Sequence, residues 1–124
     1  MFYISDNGIV TVTGGDDFTL PVFINANNLW QPLKYELCPF TYLFFAIMEP
    51  NQPFDCGIVR KKFVPEDFPD GKILIPVSHG DTENLLPGTY TYEIKIMVIS
   101  TDELGNKKEY ISTIVPKRKL FILE

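Results

Sequence analysis

Ten prolines punctuate this chain, and their spacing constrains its fold more than any other feature. From Pro21 to Pro87 no proline-free stretch exceeds 11 residues. Proline lacks an amide hydrogen and its ring clashes with the preceding helical turn, so interior helices of three or more turns barely fit there. The long proline-free window, residues 88–115, alternates apolar and polar residues in the manner of a strand instead of following a helical period. Residue types agree. Val, Ile and Thr number 30, Phe, Tyr and Trp number 17, and alanine occurs only at Ala26 and Ala46. β-Branched and aromatic side chains suit a half-buried pleated surface, whereas alanine is the strongest helix former. An all-β chain is expected.

Size and charge narrow the field further. At 124 residues the chain is expected to form one domain over residues 1–124, since two would each be too small for a core. A hydrophobic share of 45% against 22% charged excludes a disordered tail. No apolar run reaches the roughly 20 residues that a helical membrane span requires. Eleven basic residues against 16 acidic give a net charge of −5, which argues against a general binder of nucleic acid or anionic membrane. The start, Met1-Phe2-Tyr3-Ile4-Ser5-Asp6, carries no basic stretch leading into an apolar one, so synthesis in the cytoplasm without Sec export is expected. In that setting Cys38 and Cys56 are expected to be free, structural thiols, and their spacing matches neither a redox motif nor a zinc site.

Alternation and turn residues place the strands. They are expected at residues 2–5, 9–13, 18–25, 33–37, 42–48, 57–63, 72–77, 89–98, 109–115 and 117–123. Asp6-Asn7-Gly8 and Gly14-Gly15-Asp16-Asp17 read as turns, residues 26–32 as a loop, and residues 102–108 as a polar hairpin loop around Gly105. Pro21 implies an edge or a bulge within its strand, and Pro116 separates the last two strands. Residues 42–48 are apolar on both faces, which fits a central strand or one covered by a partner. Asp81 is expected to cap a single helical turn that Pro87-Gly88 ends. In residues 89–98 one face carries Tyr90, Tyr92, Ile94, Ile96 and Val98, and the other Thr89, Thr91, Glu93, Lys95 and Met97. About eight or nine short strands in one domain imply a sandwich or a small barrel, with the sandwich favoured.

Catalytic signatures are missing. No phosphate loop, dinucleotide fingerprint, zinc-protease motif or nucleophile elbow occurs, so no enzyme, cofactor or small-molecule substrate is expected. His79, the single histidine, lies in Ser78-His79-Gly80-Asp81 and reads as an exposed turn residue, because acid–base work needs positioned partners. Glu66, Asp67 and Asp70 lack the alternating spacing of a calcium loop and read as solvated turn carboxylates. Arg60-Lys61-Lys62 and Lys117-Arg118-Lys119 read as solvated strand faces or edge protection. Trp30, Phe40 and Phe54 lie in loop-like segments, where aromatics serve either as partner-binding anchors or as caps on the core.

Two resemblances add to this reading. The stretch Leu85-Leu86-Pro87-Gly88-Thr89-Tyr90-Thr91-Tyr92-Glu93-Ile94 resembles the corner of immunoglobulin-like sandwiches in which a tyrosine bonds back to the upstream backbone. The resemblance gives that role to Tyr90. Tyr92 stands where antibody domains carry cysteine, so no intersheet disulfide of that kind is implied. More widely, Gly15-Asp16-Asp17-Phe18-Thr19-Leu20, Leu43-Phe44-Phe45-Ala46-Ile47-Met48, Gly71-Lys72-Ile73-Leu74-Ile75, the Tyr90 corner and Lys119-Leu120-Phe121-Ile122-Leu123 follow in an order similar to the N-terminal immunoglobulin-like domain of phage baseplate upper proteins. That resemblance implies an immunoglobulin-like β-sandwich, mostly antiparallel, and a bacteriophage virion structural protein of the baseplate, tail or capsid-accessory kind. Its expected partners are other virion proteins, or its own copies in a closed symmetric oligomer. The alternative reading is a small glycan- or peptide-binding module that uses loop aromatics such as Trp30.

Overall fold

The strand with the clearest alternation is also the one around which the chain is built. In the computed structural model, which describes residues 2–5, 8–26 and 29–124, strand β9 (Gly88–Thr101) lies between β10 (Lys107–Leu123) and β6 (Tyr42–Met48) and pairs antiparallel with both. The remaining strands are β1 (Phe2–Ile4), β2 (Val10–Thr13), β3 (Phe18–Pro21), β4 (Phe23–Ala26), β5 (Leu29–Pro32), β7 (Val59–Phe63) and β8 (Leu74–Val77). One helical turn, α1 (His79–Thr82), and two 3₁₀ turns, Phe54–Cys56 and Pro65–Asp67, complete the described elements. Six strands form a sheet in the order β1-β2-β10-β9-β6-β7, while β3 pairs with β8 and β4 with β5 in two small ribbons. Every pairing is antiparallel except β2 with β10, which joins the two ends of the chain in parallel. The fold is all-β.

Alternation decides which face is buried. The inner face of the large sheet supplies Val10, Val12, Leu43, Phe45, Ile47, Tyr92, Ile94, Leu120 and Ile122, and the β3–β8 ribbon supplies Phe18, Leu20, Ile75 and Val77. Each such side chain contributes about 1.5–3 kcal/mol when fully removed from water. Phe2 stacks on Phe18 with ring centroids 5.2 Å apart, and Phe40 meets Phe68 and Tyr35 edge-on at the side of the core. The central strand β6 is buried on both faces over Ala46–Met48. Its outer side is covered by the chain's own 3₁₀ turn at Phe54–Cys56, and a Cβ on Gly57 would stand only 3.0 Å from that of Ala46. The small Ala46 and the bare Gly57 let this segment lie flat on the sheet.

Several expectations change. The segment expected as a loop at residues 26–32 contains β5, which pairs with β4 in the register Ala26↔Leu29 to Phe23↔Pro32. The expected strand at residues 33–37 is a single bridge, Lys34↔Lys72, followed by a turn in which Cys38 N–H bonds to Lys34 O. The expected strand at residues 18–25 is two strands, because the chain leaves the β8 ladder after Pro21 and Leu33 N–H bonds to Val22 O. Ser78, not Asp81, caps α1. Asp81 is the third helical residue, and its carboxylate accepts the Ser78 N–H at 2.8 Å. Pro116 does not divide the last strand. It sits where the β10–β9 register slips, between Val115 and Arg118, and a bulge there needs no proline donor. Asp6 and Asn7 of the expected first turn lie outside the described residues; Gly8 has φ +84°.

Two tyrosines tie β9 to the chain around it. The Tyr90 hydroxyl donates to Leu86 O at 2.6 Å, closing the corner that leads into the strand. Tyr92, two residues on, donates to Gly8 O, and burial pushes its phenol up to about 12 while the Arg118 charge opposes the shift. A Cβ on Gly8 would lie 2.5 Å from Arg118 Cδ, so the close approach at Gly8 requires the missing side chain as well as the positive φ. On the opposite face Thr91 Oγ1 is buried without a hydrogen-bond partner. Urea unfolding therefore separates the neighbours. Tyr90→Phe should lose on the order of 1 kcal/mol by stranding the Leu86 carbonyl, whereas Thr91→Val should be neutral or stabilising by up to about 1 kcal/mol, because it removes an unsatisfied hydroxyl. Equal losses in both variants would contradict this assignment.

Candidate interaction surface

Register, not sequence proximity, assembles a groove on the outer face of the large sheet. On the outer face of the large sheet Phe44 lies between Lys62 of β7 and Lys95 of β9, and Thr113 of β10 follows Lys95. The next row toward the covered centre reads Arg60, Ala46, Glu93. The row on the other side reads Tyr42, Met97, Ile111. Phe54, carried over the sheet on its 3₁₀ turn, closes one wall. Of these, Phe44, Phe54, Met97 and Ile111 form the apolar lining of a groove of about 580 Å³, with Arg60, Lys62 and Lys95 around them.

The charge in this groove is one-sided. Lys95 Nζ stands 5.0 Å from the Phe54 ring centroid, and Lys62 Nζ stands 4.0 Å from that of Tyr42. The Arg60 guanidinium donates to Asp55 O at 3.4 Å. Lys61 points to the other face, where it meets the Asp81 carboxylate at 2.9 Å. Among the described residues none of Arg60, Lys62 and Lys95 has a carboxylate within ion-pair distance, and Asp55 is the single acidic residue of the lining. Cations resting on aromatic faces are held without being neutralised. The groove therefore suits a group that is both anionic and apolar.

From this face the β9–β10 pair runs on as a free ribbon. β6 pairs with β9 only as far as Met97, and β2 pairs with β10 only from Leu120. Beyond Met97↔Ile111 the Ile99 N–H donates to Thr41 Oγ1 at 3.0 Å, and from Ser100 on the two strands have only each other among the described residues, out to Thr101↔Lys107 and the turn at residues 102–106. Asp102 Oδ1 accepts the N–H groups of Leu104 and Asn106, and Gly105 takes φ +83°. Val98, Leu104, Tyr110 and Ile111 are all exposed on this ribbon, Leu104 by 87%. The hairpin expected around Gly105 is present, but its strands run further than expected, β9 three residues past Val98 and β10 from Lys107 instead of Glu109, because alternation weakens where no core lies beneath.

The three aromatics singled out in the sequence do not come together. Phe40 is 4% exposed within the core contacts described above, so it is removed from the surface. Trp30 is 40% exposed on β5, with the Arg118 guanidinium 4.6 Å from its ring centroid. Phe54 lies half-buried at the groove. Arg60-Lys61-Lys62 sits on the edge strand β7, and Lys117 bonds to Gln52 O. The Asp67 carboxylate accepts the Val64 N–H at its own turn. Both cysteines are free, and burial raises the Cys38 thiol. No helix among the described residues is long and apolar enough to cross a membrane. No family model, curated protein or solved structure matches the chain.

His79 has a partner from far along the chain. Its ring Nδ1 lies 3.0 Å from Asp17 Oδ1, which also accepts the His79 backbone N–H. These bonds hold the Asp17 carboxyl below its usual range, and the carboxylate raises the imidazole above its usual value. The raised His79 adds stability at pH below its unfolded-state value and loses it as pH rises through the folded-state value. The lowered Asp17 adds stability above its own unfolded-state value and loses it as pH falls through the folded-state value. The pair is therefore complete between the two ordinary ranges, roughly pH 4 to 6.5. In an NMR titration Asp17→Asn should bring the His79 midpoint down toward about 6.5. An unchanged midpoint would contradict the pairing.

Proposed function

We propose that this chain is a bacteriophage virion structural protein, of the baseplate, tail or capsid-accessory kind, that works through protein–protein contact on an immunoglobulin-like β-sandwich. The observation that carries the reading is the ribbon beyond Met97, which leaves the sheet with apolar side chains on both strands and, past the Ile99 bond to Thr41, no neighbour on either edge among the described residues. An isolated two-stranded ribbon is marginal in water, and one that displays apolar residues gains stability when a partner covers it. The sequence resemblance to phage baseplate domains supplies the setting, and the Tyr90–Leu86 bond supports the sandwich corner. The groove beside the ribbon supplies charge and shape, the properties by which an assembly contact is oriented.

The exposed Trp30 would serve a glycan-binding role only on the ring face that Arg118 leaves open. That geometry favours the assembly reading. Mass spectrometry of gradient-purified particles from the producing phage should find the protein at a fixed ratio to known structural proteins. Its presence in the lysate and absence from particles would contradict the assignment.

A further inference from the structure

We propose that two copies of this chain associate across a two-fold axis, each laying the acidic tip of its β9–β10 ribbon into the basic groove of the other. This deepens the reading of the chain as an assembly protein and rests on it. The tip carries Asp102, Glu103 and Leu104, two carboxylates followed by the most exposed large apolar side chain of the described residues. The groove offers the complement: Arg60, Lys62 and Lys95 without carboxylate partners, around an apolar lining of Phe44, Phe54 and Met97.

Continuity makes the exchange reciprocal. Met97 and Ile111 belong both to the groove and to the base of the ribbon, so the groove opens directly onto the ribbon's outer face. Register places Met97, Ile99 and Thr101 on that face, opposite Ile111, Glu109 and Lys107. The four residue steps from Met97 to Thr101 extend it by about 13 Å at the usual strand rise. Two such faces stacked antiparallel bring each tip to the other's base, set Ile99 against its copy and Met97 and Ile111 against the Thr101–Lys107 row of the other, and turn Glu109 of one toward Lys107 of the other. Lys107 lies on this face just behind the acidic tip, where Asp55 at the groove of the other copy faces it, and Lys108 points to the opposite face by alternation. An arrangement in which the same surface meets itself closes at two copies instead of growing into a fibre.

Sedimentation velocity of the whole chain in low salt tests the contact. A monomer–dimer equilibrium is expected with a dissociation constant on the order of 1–100 μM, weakening as salt screens the charges. Glu103→Lys and Lys62→Glu, both at exposed positions, should each raise that constant by about tenfold, and the double variant should return it to within about threefold of the original. Circular dichroism of each variant should superimpose on the parent. A monomer at all concentrations to about 1 mM, ten times the upper end of the expected constant, would overturn the proposal. So would a dimer indifferent to both substitutions, or a double variant no stronger than the singles. Particle composition separates this from the virion reading. A monomer found in particles overturns the exchange alone, while a dimer absent from particles overturns the virion setting and leaves the exchange standing.

Discussion

Everything in this fold leans on the inner half of β9. Between Thr91 and Met97 this strand is paired on both edges, with β10 and with β6, and the inward residues Tyr90, Tyr92, Ile94 and Ile96 are all buried. A strand supported this way has no unpaired backbone within the body, which is the condition for burying it. Its two tyrosines reach out of the sheet to fix the approach at Leu86 and the early turn at Gly8. Gly8 is 84 residues from Tyr92, so this one bond sets the start of the chain against its later half. The parallel pairing of β2 with the end of β10 then follows from where β10 must lie.

The outer half of the same strand has the opposite character. Past Met97 it keeps β10 as its sole paired strand, with one further bond from Ile99 N–H to Thr41 Oγ1, and has no core beneath it. A single continuous strand thus runs from the best-supported part of the molecule into the least supported. The rigid half sets the direction of the free half. That geometry suits a contact element, since a positioned ribbon loses less freedom on binding than a loop would. The charged groove at its base is a product of the same register: Lys95 reaches it from β9 and Lys62 from β7, with Phe44 between them.

How much of this could be read from the residues depends on whether the signal was local. Strand character in residues 72–77 and 89–98 was legible because alternation over a core face is written in consecutive residues, whereas the bond from Tyr90 to the upstream backbone was what the resemblance implied. β5 was not, since Leu29, Trp30 and Gln31 cover no core and so show no alternation. Pro116 misled because a proline normally stops a ladder, and only the register slip beside it shows why this one does not. The groove was illegible for a different reason. Its residues come from β6, the 3₁₀ turn, β7, β9 and β10, and their meeting depends on cross-strand register that no single segment reports. Arg60-Lys61-Lys62 was visible only as edge protection, though alternation already sends Lys61 to the opposite face from its neighbours.

Native-state amide hydrogen exchange tests the division of β9 most directly. The account predicts that the amides of Tyr92, Ile94 and Ile96 exchange only through global unfolding and are among the slowest in the chain. Amides from Ser100 through Tyr110 should exchange much faster at dilute concentration and slow as concentration rises. Uniform protection along the whole of β9 in dilute solution would contradict it.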